Sequence, residues 1–207
     1  MTLTQPKSSS PDTSELDQIK LLVALLYAKD AEGNAEIRGI TRLEKLIFLA
    51  QKEGLGRDYF NYVAYDYGPF SAEVHDYLEA LELRQLVRIR TEELRIPADM
   101  ADLLECNQNE DLEDAASQPN RMEIYQLTNA GEKAASVLWN RLSVDERRAI
   151  AETKQRFNSL SLYDLMKHVY KSHEEYTKKS RIRNKIMHTE ASYGSRPKLF
   201  YLGRDGE

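Results

Sequence analysis

Cysteine is nearly absent from this sequence of 207 residues: Cys106 stands alone. One cysteine excludes an internal disulfide framework and a multi-cysteine zinc module. It also sits among acids, which disfavour a thiolate, so a reactive nucleophile is not expected there. Long apolar runs are missing too. No stretch approaches the ~18–20 apolar residues of a membrane-spanning helix, and the mean hydropathy is −0.63 with 30% charged residues. No glycine-rich phosphate cradle and no G-x-S-x-G elbow occur. The first 13 residues hold one lysine and no apolar core, which does not fit a signal peptide. They are rich in Ser, Thr and Pro and are expected to be disordered. A cytoplasmic protein is the expectation that follows. No cofactor or metal site is expected. His168 and His173 are five apart, which on one helix points them to different faces.

What is present is helical patterning with clear start signals. Ser14 with Asp17 opens a helix expected over 14–29, striped by Leu16, Ile19, Val23 and Leu26. Thr41 and Glu44 have the spacing of a capping box for a helix over 41–53, which Gly54 and Gly56 end. Residues 59–70 hold six aromatics: Tyr59, Phe60, Tyr62, Tyr65, Tyr67 and Phe70. A short extended segment is expected at 62–66, then a turn at Gly68 and Pro69. Ser71 reads as the N-cap of a third helix over 71–85, striped by Val74, Tyr77, Leu78 and Leu81. Alternating stretches at 86–90 and 122–127 read as the strands of a β-hairpin. A long acidic connection at 91–121 joins them, with a short helix expected near 98–105. Thr128, Ser143 and Ser161 are N-caps for later helices over 128–141, over 143–157 and from 162 onward. From 178 the chain turns basic and weakly periodic and reads as a flexible tail.

Three helices followed by a β-hairpin is the layout of a winged helix-turn-helix, in which the third helix is the usual recognition helix. The fold class is therefore mainly α with a small β-hairpin. A winged helix-turn-helix-like core over 14–141 would carry C-terminal helices over 142–177 and a basic tail over 178–207. Tyr125-Gln126-Leu127-Thr128-Asn129-Ala130-Gly131 resembles a Y-x-L-T-x-x-G stretch that often closes a wing.

Leu43-Glu44-Lys45-Leu46-Ile47-Phe48-Leu49-Ala50-Gln51, followed by Tyr65-Asp66-Tyr67-Gly68-Pro69-Phe70 and Glu73-Val74, resembles the Panacea domain. That domain is also called the SocA-like antitoxin or phage-associated domain. Phe70 and the helix around Leu162 to Tyr170 are closer to a related group of prokaryotic proteins described as predicted transcriptional regulators. The resemblance covers roughly 16–90 well and 121–182 loosely, and the acidic insert departs from it. It implies a non-enzymatic, winged-helix-like module for regulation and toxin neutralisation, with no catalytic residues to carry over.

Net charge is −5, but it is unevenly spread. The third helix carries Glu73, Asp76, Glu79 and Glu82 against Arg84 alone. Residues 91–120 carry nine acids against Arg95. A helix and wing of that sign are repelled by DNA phosphates. Two readings remain for this surface: a solvated acidic face, or a docking site for a basic protein such as a toxin or defence component, reached by electrostatic steering. Glu73, Asp76, Glu79 and Glu82 are the candidate partner-binding residues, with Tyr65, Tyr67, Gly68 and Pro69 shaping the site. The aromatic run itself reads first as core and hinge packing. The C-terminal region inverts the sign, with Lys178, Lys179, Arg181, Arg183, Lys185, Arg196 and Lys198 interleaved with tyrosines. Such a pattern tracks a nucleic-acid backbone. A DNA-binding regulator that uses these residues is the alternative, and a solubilising tail the plain reading. Homodimerisation through terminal helices is one assembly the fold class allows.

Overall fold

Two helices are buried over most of their described length, and the rest of the chain packs around them. In α1 (Thr13–Tyr27), Leu21, Leu22, Val23, Ala24, Leu25 and Leu26 are all buried. In α2 (Ile40–Leu49), every residue from Leu43 to Leu49 is buried. A helix without a solvent face belongs at the centre of its domain. The computed structural model describes residues 13–93 and 121–188, and side chains from 17 onward. It is mainly helical with a small antiparallel sheet.

The chain runs through α1, β1 (Ile37–Arg38), α2 and a π-helical turn (Ala50–Leu55), which Gly56 ends in left-handed geometry at φ 61°. A small hairpin follows, β2 (Val63–Tyr65) and β3 (Gly68–Phe70), then α3 (Ala72–Leu83). The strands β4 (Val87–Glu93) and β5 (Arg121–Leu127) pair antiparallel along their full length, from Val87 opposite Leu127 to Glu93 opposite Arg121. β1 adds to the other edge of β5, so the sheet order is β1-β5-β4. Then come α4 (Asn129–Arg141), α5 (Val144–Phe157), α6 (Leu162–Ser172) and α7 (Arg183–His188).

The hairpin expected from alternation is present, and so are the caps at Thr128, Ser143 and Ser161. Ser143 and Glu146 form a complete capping box. Five other expectations are corrected. Thr41 and Glu44 do not cap α2: Gly39 is the N-cap, at φ 87°, and both side chains turn inward. Gly68 and Pro69 lie in β3, and the turn is made by Asp66 and Tyr67. Ser71 stands at the N-cap of α3 but makes no side-chain cap. Its own carbonyl already accepts from Val74 N, and its hydroxyl is buried without a partner. Finally, residues 178–188 are not a tail. They form a turn and α7, with Ile186 fully buried. Thr91 to Glu93 and Arg121, assigned to the insert, are strand. The remainder of the insert, including the helix expected near 98–105 and Cys106, lies outside the described residues, as do 1–12 and 189–207.

The corner between α3, β4 and α4 is closely fitted. Gln85, at φ 56°, ends α3 with Gln85 N donating to Glu82 O and Leu86 N to Leu81 O. This is the Schellman pattern of hydrogen bonds. Thr128 N then donates to Leu86 O at 3.0 Å, and Thr128 Oγ1 to Gln85 O at 2.7 Å. Gly131 packs directly on the backbone of this corner: a Cβ there would lie 1.9 Å from Leu86 O. That explains the glycine of the Y-x-L-T-x-x-G stretch. Because backbone must move to admit a methyl, Gly131→Ala is expected to lower unfolding free energy by about 2–3 kcal/mol. Urea denaturation of the two proteins checks it.

Candidate functional site

The motif residues of α2 face inward and build the β2–β3 hairpin from below. Lys45 Nζ donates to Pro69 O at 2.7 Å and lies 3.5 Å from the Glu44 carboxylate. Both residues are buried. Glu44 Oε1 is in turn 3.1 Å from His75 Nε2 on α3. Tyr62 donates its hydroxyl to Glu44 O at 3.0 Å. Burial, with the Glu44 and Glu73 carboxylates nearby, raises the Tyr62 phenol well above its ordinary range, so it stays protonated. The Gln51 carboxamide pairs with the backbone of Phe60, donating to its carbonyl and accepting from its amide at 3.1 Å each. Phe48, fully buried, receives the edges of Tyr62, His173 and Tyr176 at 4.9–5.1 Å between centroids.

The hairpin is held from above by the C-terminal segment. Arg181 N donates to Asp66 O at 2.9 Å, and its guanidinium pairs with the Asp66 carboxylate at 2.8 Å. Tyr170 and Ser180 share a hydrogen bond of 2.7 Å. Gly68, at φ 95°, passes so close that a Cβ would meet the Tyr170 ring at 3.0 Å. Both the left-handed geometry and the contact call for glycine. Gly68 and Pro69 therefore support the hairpin as buried backbone, whereas Tyr65 is half-exposed beside Phe70.

The four acids of α3 do not share one environment. Glu73 accepts from Asn61 N, Asn61 Nδ2 and Gln18 Nε2 at 3.0–3.2 Å. It is a structural tie between α1, the pre-hairpin loop and α3. Asp76, Glu79 and Glu82 are exposed, and no hydrogen bond or ion pair holds their carboxylates among the described residues. Leu83 beside them is 78% exposed.

The basic candidates also divide. Arg181 is bound to Asp66. Arg183 reaches the Glu174 carboxylate at 3.6 Å and Thr177 Oγ1 at 3.3 Å. Lys178, Lys179 and Lys185 are exposed. Arg196 and Lys198 lie outside the described residues.

Two clusters escape sequence reasoning. His168 and His173 do converge, contrary to expectation. Both Nε2 atoms sit on Glu53 Oε1, at 2.8 and 3.0 Å. The five-residue spacing fails because His173 has left the helix, at φ −136° and ψ 58°. The second cluster surrounds Lys154, which is fully buried and donates to Ala35 O at 2.8 Å and Leu25 O at 3.3 Å. Asn158 reaches the Asp30 carboxylate and Glu36 O, and Arg42 donates to Asn158 O and Leu160 O, both at 2.8 Å. The signal available for Lys154 is its place on one helical face with Ile150 and Phe157. Burial pushes Asp30 up, but the Asn158, Asn34 and Glu32 donors outweigh it and hold the carboxyl below its ordinary value.

Among the described residues no group of three or more His, Cys, Asp or Glu side chains is placed to hold a metal ion. No described helix is long and apolar enough to cross a membrane. A scan against protein-family models finds no match for the chain, and a search of curated proteins finds none either.

Three variants test these buried polar groups. Burial lowers the Lys154 ammonium from 10.5 to about 7, with Asp30 and Glu36 opposing the shift and Arg42 adding to it. Between those values the unfolded chain binds the extra proton, so stability rises with pH there. Below about 7 both states are protonated and the penalty is complete. The unfolding free energy is expected to rise by about 2 kcal/mol from pH 7 to 9, and Lys154→Met to flatten that rise in urea titrations. Lys45→Met leaves Pro69 O unpaired and removes a cation from buried Glu44. It is expected to cost about 3 kcal/mol, and Glu44→Gln in the same chain to recover part of it.

Proposed function

We propose that this chain is a non-enzymatic regulatory module, antitoxin-like, that docks a basic protein partner on the outward face of α3. The observation that carries this reading is the state of three carboxylates. Among the described residues, Asp76, Glu79 and Glu82 stand exposed and unpaired on one element, while Glu73 is consumed internally. A face of that charge repels nucleic-acid phosphates and attracts a basic surface.

The resemblance to the Panacea domain and related regulators adds to the reading. Lys45, Phe48 and Gln51 carry half of that resemblance: Lys45 holds the hairpin that carries the other half, and Phe48 and Gln51 hold Tyr62 and Phe60 in the loop that leads into it. The element order also supports a winged helix-turn-helix variant. Helix, strand, helix, helix and a long hairpin close a sheet of order β1-β5-β4, with β2–β3 inserted between the second and third helices. A cytoplasmic setting goes with this reading. The alternative, DNA binding through the basic C-terminal residues, finds Arg181 and Arg183 engaged in intramolecular ion pairs at the surface and keeps Lys178 and Lys179 exposed.

The test is affinity capture from the source cells with the wild-type chain and with a triple reversal, Asp76→Lys, Glu79→Lys and Glu82→Lys. A basic protein is expected to co-purify with the wild type at low salt. It is lost with the reversal and at about 0.5 M salt, where the Debye length falls to a few ångströms. Equal recovery by both chains removes the proposal. So does duplex DNA retention that falls steeply with salt and with Lys178→Glu and Lys179→Glu, in the absence of a basic protein.

A further inference from the structure

A cavity of about 610 Å³ opens where the end of α1, the turn at 33–36, the end of β5 and the first turn of α4 converge. That volume is in the range of small-molecule sites. No residue of α3 lines it, so it stands apart from the proposed docking face.

The wall at 33–36 is fixed from behind by buried polar groups. The Asp30 carboxylate accepts from Glu32 N and Asn34 N at 3.0 and 2.8 Å. Asp30 N and Asn34 O close the turn at 2.9 Å, and Gly33 takes φ 83°. From α5, Lys154 holds Ala35 O and Asn158 holds Glu36 O at 3.2 Å. A fully buried lysine is a costly way to fix a surface turn. Rigid support of this kind is what a binding wall requires.

The lining has a specific chemical character. Tyr27 and Leu127, both partly exposed, supply apolar surface. Lys29 and Glu132 supply one charge of each sign, and neither side chain makes a hydrogen bond or ion pair among the described residues. The carboxamides of Asn34 and Gln126 offer both donors and acceptors. Glu36 also lines the cavity, but its carboxylate is paired with Arg38 and Arg90 at 2.7 and 2.8 Å. A purely anionic ligand would face Glu132, and a purely cationic one would face Lys29. A ligand carrying both charges satisfies the two together.

We infer that this cavity binds a small zwitterion with an apolar body, of the amino-acid or dipeptide class. The experiment is calorimetric titration of the full chain with phenylalanine, leucine and leucyl-leucine. N-acetyl-phenylalanine amide serves as the ligand stripped of both charges. At least one zwitterion is expected to bind saturably and the neutral compound not to bind. Lys29→Met and Glu132→Gln, both at exposed positions, are each expected to weaken binding about tenfold, the loss of one charge-assisted contact. The α3 reversal Asp76→Lys, Glu79→Lys and Glu82→Lys is expected to bind as the wild type does. Binding of the dipeptide alone assigns the longer member of the class. No saturable binding by any of the three zwitterions overturns the inference. Equal binding of the neutral compound, or binding unchanged in both variants, overturns it as well.

Discussion

The ammonium of Lys45 lies inside the protein, against one backbone carbonyl and one carboxylate, and much else is arranged around it. Its bond to Pro69 O joins the central helix to a hairpin too short to be stable alone. Through Glu44 the same group is linked to His75, which fixes α3 against α2. The order of events is physical: α2 has no solvent face, so its polar side chains can find partners only in what packs upon it. The hairpin and the loop before it supply them as backbone carbonyls and an amide. This is why a lysine and a glutamine occur amid Leu, Ile and Phe without marking a surface.

The C-terminal segment completes this arrangement from the other side. Tyr170 packs on Gly68, and Arg181 grips the Asp66 turn, so the hairpin is enclosed between the second helix and the end of the described chain. Basic residues that resemble a phosphate-binding run when read along the sequence are divided, in three dimensions, between internal ties and solvent. The acids of α3 are divided in the same way. Charge along a sequence states the sign of a region, and only the partners of each side chain state how much of it faces outward.

The helices are legible because their signals are local. Ser143 with Glu146, Ser161 with Asp164, and Thr128 with Gly131 each act within one turn, and each cap forms. The β4–β5 hairpin is legible because apolar and polar residues alternate over 86–90 and 122–127, and the strands extend a few residues beyond that pattern. β1 has two residues and no period to detect; it exists because β5 offers an open edge. Thr41 with Glu44 has the spacing of a capping box, but burial of α2 on all sides overrides the local motif. Convergence of His168 and His173 depends on a backbone departure at the end of α6, which no spacing rule contains. Of the candidate site, the hairpin and α3 are legible through aromatics and acids. The division of labour between Glu73 and its neighbours is not, because Asn61 and Gln18 come from elsewhere in the fold.

The pairing of Glu93 with Arg121 fixes the two ends of the acidic insert side by side at the rim of the sheet. The chain between them enters and leaves at one point, so its length is decoupled from the rest of the architecture. Loop closure costs only about 0.6 kcal/mol for each doubling of length. The ladder below it already sets the strand register. This rim is therefore the place where the protein can grow, shrink or exchange a whole segment during evolution while its core stays the same.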